Sequence, residues 1–421
     1  MPSLIFLLIL SQNLGVGHRF PWSWLPLGMG RGFWGLATLF FIGALFSKNL
    51  RKTLDQLLAR LLSLRAFFLT LVVLNAAYAL LNYGYFRGLG YSIPVLHLIL
   101  CALAGVFIWR GTNPLRVALG LSVGLLVSSI MHFPLNPTRS DMLPVIAGAF
   151  EQWKLGGSPY GVFILNGGDH NTMPYLPGVF LSHWPAWAAG VDLRWGSVLF
   201  RALWGVLLLR QSDRLPPGSL WMKMAAVWLL NPYLNFRHDL YFEFFNFLMV
   251  AFWCVRSLRG LTLALMIVSR QWAWVLAPFL IFGMVMKKAW RDLGLFVLSS
   301  VVLGGLGIAL FAGSTTWTGF GSVVLSGFQE RLSWSEFPGD FGFTLAPLFY
   351  ALHAAPLLQY LQAALCVGFF LWVVLRRPQQ AFYYGWVTLS LFLMLNMHFW
   401  NYFWISPSLF LLAGWGSQLE T

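Results

Sequence analysis

The residues with the most chemical character in this chain are few and widely spaced. Arg270 stands in Ser269-Arg270-Gln271, a polar break inside the apolar run 261–286. A charge in such a run is costly unless it is used or paired, and a fixed cation in a water-poor setting suits an anion such as phosphate. Arg237 and His238 offer further cations, while Asp239 and Glu243 offer carboxylates that would pair Arg270 in a purely structural role. Asp141 precedes a short helical stretch at 142–155, where an aspartate caps orphan amides, and position alone favours that role over proton transfer. Asp169-His170 supplies one Asp and one His, too few ligands for a metal site, and turn residues explain the pair equally well. Cys101, Cys254 and Cys366 lie far apart in apolar segments, with no CxxC and no His at ligand spacing, so neither a disulfide framework nor a metal site is indicated.

The elements that must position these residues are apolar. Of 421 residues, 58% are hydrophobic and 10% charged, with a mean hydropathy of +0.71, whereas a water-soluble globule carries about 25% charged residues. The net charge of +14 does not mark nucleic acid as a partner, because the bases are scattered in short groups between apolar stretches. The 22 tryptophans suit interfacial belts, or stacking surfaces for sugar rings and polyprenyl chains. The sequence predicts an all-α polytopic membrane protein with spans near 33–46, 66–83, 93–109, 117–131, 195–209, 220–236, 240–255, 293–311, 356–375, 383–395 and 399–415. The first ten residues resemble a signal-peptide core without its basic start or cleavage site, and are read as a retained segment.

Five bases (Lys48, Arg51, Lys52, Arg60, Arg65) against one acid, Asp55, place the loop after the first secure span in the cytoplasm. The leucines from 50 to 62 form one stripe in that loop, fitting either a headgroup-plane helix or a soluble connector. Later basic groups stay inside if 174–190 is a juxtamembrane helix on the outer surface and 261–286 splits near Arg270. Asp55, Asp213, Asp292 and Glu420 then lie inside and the other nine of the 13 acids outside.

In order along the expected outer face come Asp141, Gly156-Gly157-Ser158-Pro159-Tyr160, Tyr175-Leu176-Pro177-Gly178, Asn231-Pro232, Ser269-Arg270-Gln271, and the stretch from Asn396 to Phe403 ahead of Pro407. This series resembles GT-C-fold integral membrane glycosyltransferases, and more narrowly the polyprenyl- or dolichyl-phosphate-mannose-dependent mannosyltransferases. The resemblance implies a GT-C-like bundle of roughly 11–14 transmembrane helices, with juxtamembrane helices in the first large outer loop. Residues 1–115 would be an N-terminal extension with the basic cytoplasmic loop. Residues 116–421 would be the catalytic module, with outer loops at 132–194 and 312–355. The resemblance also implies Asp141 as catalytic base. Arg139, Tyr160, His170, Tyr175, Arg237, His238, Asp239, Glu243, Arg270, Gln271, His398 and Asn401 would bind substrate, with Tyr160 and Tyr175 either shaping the loop or touching substrate. Where many members carry paired acids, Ser140 precedes a lone Asp141, so no metal ligand is assigned and a divalent cation is the one cofactor left open.

The expected activity is inverting transfer of a hexose, mannose by the resemblance, from a polyprenyl-phosphate-linked donor to a lipid or glycan acceptor. The expected setting is a multi-pass protein of a bacterial plasma (inner) membrane, among membrane lipids, with the site facing the non-cytoplasmic side. Glu330, Arg331, Trp334, Glu336 and Asp340 belong to a long loop suited to a substrate lid or to solvated charges. The alternative is a polytopic lipid or glycolipid transporter, which would place polar residues at mid-membrane and show inverted repeats; neither stands out in the sequence. A non-catalytic scaffold is the third reading.

Overall fold

Apolar stretches of this length satisfy their own amides and carbonyls most completely as helices, and the computed structural model of the chain is helical. It describes residues 64–87, 95–132, 143–161, 163–164, 170–171, 173, 176–216, 219–231, 235, 242–311, 349, 354, 357–395 and 405–418, with residues 43, 47, 49, 52, 53 and 56. Among these are fourteen α-helices. They are α1 (Leu64–Arg87), α2 (Val95–Trp109), α3 (Pro114–His132), α4 (Leu143–Lys154), α5 (Pro177–Ala188), α6 (Arg194–Ser212), α7 (Leu220–Leu229), α8 (Glu243–Cys254), α9 (Arg259–Ile267), α10 (Trp272–Met286), α11 (Trp290–Phe311), α12 (Leu357–Arg376), α13 (Ala381–Met394) and α14 (Ile405–Gln418). A two-residue antiparallel ladder, β1 (Phe163–Ile164) with β2 (His170–Asn171), pairs Phe163 with Asn171 and Ile164 with His170.

Local sequence explains several boundaries. Pro177 opens α5 at its first turn, where its fixed φ is already helical and its missing N–H costs nothing. The Ser219 hydroxyl caps α7 by accepting from the Met222 amide at 3.4 Å. The run expected to be helical over 220–236 stops at Leu229, because Pro232 disfavours the α conformation in Asn231 before it. The expected split of 261–286 is present: α9 ends at Ile267 and α10 starts at Trp272.

Among the described residues the larger hydrophobic core runs from Phe67 to Ala413, so helices before and after Arg116 bury their faces together, and a smaller cluster joins Phe279, Val373 and Ala381. Within it α8 packs against α6, α9 and α14, α10 lies against α13, and α1, α2 and α3 lie side by side with α3 reaching α6. Helix axes come close where side chains are small. A Cβ on Gly260 of α9 would lie 2.0 Å from the Asp292 carbonyl oxygen of α11, and one on Gly385 of α13 would lie 2.7 Å from the Phe279 Cβ of α10.

Among the described residues two helical segments, Pro114–Met131 and Trp290–Gly307, are long and apolar enough to cross a membrane, and the count reaches three if Glu243–Cys254 and Arg256–Ile267, bent by 115°, form one span. The α11 segment is only 6% buried, and its Val297, Leu298, Val301, Val302 and Leu306 are all exposed.

The α9–α11 contact can be checked directly. Gly260→Ala should destabilise the fold by about 1–3 kcal/mol, read as a lower unfolding midpoint in detergent. Gly294→Ala, which meets open space, should leave the midpoint near the parent value. Equal midpoints for the two variants would show that the helices are not pressed together.

Candidate functional site

The most polar part of the buried core is built around Arg201 of α6 and Glu243, the first residue of α8, each 1% exposed. A carboxylate at a helix N-terminus complements the partial positive charge of the free amides there. Arg201 forms an ion pair with Glu243 through Nη2 and donates from Nε to its Oε1 at 3.1 Å. The other carboxylate oxygen accepts from Trp204 Nε1 at 2.7 Å and from Asn246 Nδ2 at 3.5 Å. Arg201 Nη1 reaches Asn235 Oδ1 at 3.0 Å, which also accepts from Ser122 Oγ at 3.1 Å.

Asn235 extends the chain of contacts. Its Nδ2 donates to Asn75 Oδ1 at 3.0 Å and to the Leu229 carbonyl at 3.2 Å, while Asn75 Nδ2 donates to the carbonyls of Leu71 and Leu230. The Ser129 hydroxyl lies 3.4 Å from the Asn235 carbonyl, and buried His97 holds Ser128 and Ser129 on its two ring nitrogens, at 2.8 and 3.2 Å. Polar groups from α1, α2, α3, α6 and α8 thus meet around the α7–α8 connection. Nearby, Arg194 at the head of α6 donates from Nε to Asp192 at 2.9 Å and from Nη2 to the Ile130 carbonyl of α3 at 3.4 Å.

Glu243 was expected to contact substrate or to pair with Arg270, and the structure gives it Arg201 and Trp204 instead. At 1% exposure it presents no surface to a ligand. Arg201 stands inside the expected span 195–209, and the signal that marks Arg270, a charge inside an apolar run, applies equally to it.

Arg270 sits at the break between α9 and α10, 5% exposed. Its guanidinium lies over the Trp272 ring at 4.6 Å and the Phe242 ring at 5.9 Å, a cation–π arrangement that is stronger for being desolvated. Phe242 immediately precedes Glu243, so the break lies beside the N-terminus of α8. The start of α5 docks here too: the Gly178 amide donates to the Val268 carbonyl at 2.8 Å, and a Cβ on Gly178 would lie 2.3 Å from Ser269 Oγ. Only glycine allows that approach. The Pro177-Gly178 start of α5 and the Ser269-Arg270-Gln271 break, remote in sequence, therefore form one contact. The N-termini of α5, α8 and α10 gather around Arg270, and helix N-termini with a guanidinium favour an anion.

The Gly156–Tyr160 turn is held by its own backbone. Gly156 takes φ +81, the left-handed conformation that ends α4, and the Tyr160 amide donates to Ser158 Oγ at 3.2 Å. Tyr160 is 2% exposed, and burial pushes its hydroxyl pKa well above the usual phenol range. A groove of about 660 Å³ opens between α4 and the end of α5, lined by Glu151, Lys154, Trp187 and Asp192 among others. It lies at the far end of α5 from Arg270, roughly 14 Å along the helix at 1.5 Å per residue.

Gln271 is the N-cap residue of α10, and its carbonyl accepts the Trp274 amide at 3.0 Å. His170 is described in its backbone alone, within β2. Arg139, Asp141, Tyr175, Arg237, His238, Asp239, His398 and Asn401 lie outside the described residues, as do Asp169 and the charges at 330–340. Among the described residues no group of three or more His, Cys, Asp or Glu side chains could hold a metal ion. No protein-family model, curated protein or solved structure matches the chain.

The ion pair makes a sharp energetic prediction. Glu243→Leu strands the Arg201 charge in the core and should cost about 3–5 kcal/mol, whereas Arg201→Met with Glu243→Leu removes both charges and should recover most of that loss. The measurement is a double-mutant cycle on unfolding midpoints. Additive losses would show that the two side chains do not interact.

Proposed function

We propose that the chain is a membrane-embedded, inverting glycosyltransferase of the GT-C type, taking a hexose from a polyprenyl-phosphate carrier to a lipid or glycan acceptor. The proposed setting is a multi-pass protein in a bacterial plasma membrane, with the site facing away from the cytoplasm. The observation that carries this reading is the contact between the Pro177-Gly178 start of α5 and the Arg270 break, with three helix N-termini meeting at that break. The exposed apolar face of α11 supports a lipid setting.

In the proposed reaction Asp141 accepts the proton of an acceptor hydroxyl as that oxygen attacks the anomeric carbon. The bond from that carbon to the phosphate oxygen breaks, its electron pair stays on the phosphate, and polyprenyl phosphate leaves. Attack on the face opposite the leaving group inverts the anomeric centre. Arg270 holds the departing phosphate, whose added negative charge is worth most to a fixed cation where water is scarce. Tyr160 and Gly156 keep the loop after Asp141 in shape.

A second reading, a lipid or glycolipid transporter, is favoured by one observation. The buried chain from His97 to Glu243 places an ion pair inside the helical bundle, where ionisable groups often line a path.

The two readings separate in one experiment on purified protein in sealed vesicles. For the transferase, the parent chain yields covalent glycosylated product and free polyprenyl phosphate. Asp141→Asn should lower that rate by about 10²- to 10⁴-fold and Arg270→Gln by about 10²- to 10³-fold, with both variants still membrane-inserted. Near-parent transfer by Asp141→Asn removes it as base, and lipid movement without covalent product favours the transporter.

A further inference from the structure

The groove between α4 and the end of α5 is built from residues that the proposed reaction does not use. Ala147, Glu151 and Lys154 line it from α4, at spacings of four and three residues that put them on one helical face. Across from them stand Trp187 of α5 and the turn from Gly190 to Leu193 that leads into α6. Gly190 takes φ +67 in that turn, and the Val191 amide donates to the Ala186 carbonyl at 3.0 Å. The Trp187 ring stacks on Phe150 at 5.0 Å, and Phe150 stacks on Phe180 at 4.0 Å between ring centres. This wall of the groove is thereby anchored in the hydrophobic core.

Both signs of charge are held along it. Glu151 Oε1 accepts from Trp187 Nε1 at 3.0 Å, and its Oε2 lies 4.0 Å from the Lys154 ammonium. Asp192 is oriented by Arg194, whose backbone amide and Nε each donate to its Oδ1 at 2.9 Å. Each acid has its base, so a simple anion or cation gains little from the groove. A ligand that carries both charges can engage carboxylate and ammonium together. The Glu151 and Lys154 side chains are 60% and 66% exposed, and an ion pair so exposed is weak, so opening it to admit such a ligand costs little.

The rim is apolar. Leu155, next to Lys154, is 82% exposed, and Val191 in the turn and Trp184, one turn before Trp187, are each 46% exposed. Exposed tryptophan and aliphatic side chains beside charged groups are the composition of a membrane–water interface. A zwitterionic head that continues into hydrocarbon matches the polar groove and its apolar rim together.

We propose that this groove binds the phosphoethanolamine head of a phospholipid. The primary ammonium donates to Glu151 and Asp192 and lies against the Trp187 ring, a charge-assisted and cation–π arrangement. The phosphate takes Lys154, and the acyl chains leave over Leu155, Val191 and Trp184. A quaternary ammonium has no N–H to donate, so phosphatidylcholine is the poorer ligand. The site lies at the far end of α5 from Arg270 and rests on the membrane reading of the chain alone, so it stands whether or not the protein transfers sugar.

The test uses the full chain, purified in detergent and titrated with phosphatidylethanolamine, phosphatidylcholine or phosphatidylglycerol, with retained lipid counted by native mass spectrometry. Phosphatidylethanolamine should be retained over the other two. Glu151→Gln should weaken its retention by about tenfold and Lys154→Gln by about fivefold; both side chains are mostly exposed, so these variants keep the fold. Ala188→Trp, at the exposed last residue of α5, fills the groove without touching a charge and should abolish retention. Equal retention of the three lipids, preference for phosphatidylglycerol, or parent-like retention by Glu151→Gln and Ala188→Trp overturns the proposal. Soluble phosphoethanolamine that displaces the lipid at equal concentration overturns its lipid part, because the apolar rim would then contribute nothing. The titration contains no sugar donor, so its result is independent of the transferase reading.

Discussion

An arginine and a glutamate taken wholly out of water would cost several kcal/mol each if left to themselves, and in this protein the surrounding helices are arranged around that cost. Arg201 and Glu243 neutralise one another, yet a salt bridge alone leaves lone pairs and N–H groups unsatisfied. Trp204, Asn246 and Asn235 take those up. Asn235 then requires partners of its own and finds them in Ser122, Asn75 and the end of α7. Each donor needs an acceptor in the next helix, so the demand for satisfied hydrogen bonds passes outward until α1, α2, α3, α6 and α8 share one register. Hydrophobic packing would hold these helices together with little preference for position; the polar chain supplies the position.

That register is what places the candidate site. Glu243 fixes the first turn of α8, and Phe242 just before it lies under the Arg270 guanidinium. The α9–α10 break is therefore tied, through one aromatic ring, to the same helix end that the ion pair anchors. The α5 turn closes on the break from the other side through the Gly178 amide. Arg270 is positioned by packing and by its cation–π contacts with Trp272 and Phe242. The two ends of α8 thus differ: a buried ion pair at its start, and past its end Arg259 and Lys287 seated on aromatic rings.

The sequence by itself determined the helices and most of their limits, because apolar runs bounded by Pro, Gly and charges have few other ways to satisfy a backbone. It also determined the break at Arg270, since Ser-Arg-Gln interrupts an apolar run visibly, and the loop-shaping turn at Gly156–Tyr160, where small and rigid residues cluster. It singled out Glu243 as notable without saying what it meets. Partners are a property of three-dimensional register, and nothing in the spacing of residues 201, 235 and 243 relative to 75, 97 and 122 encodes that they converge. Only the tertiary structure decided that Glu243 belongs to Arg201, that Tyr160 is buried, and that the Pro177-Gly178 turn rests on Ser269. The physical reason is that hydrophobicity is read one residue at a time, whereas a buried charge is defined by the atoms packed against it.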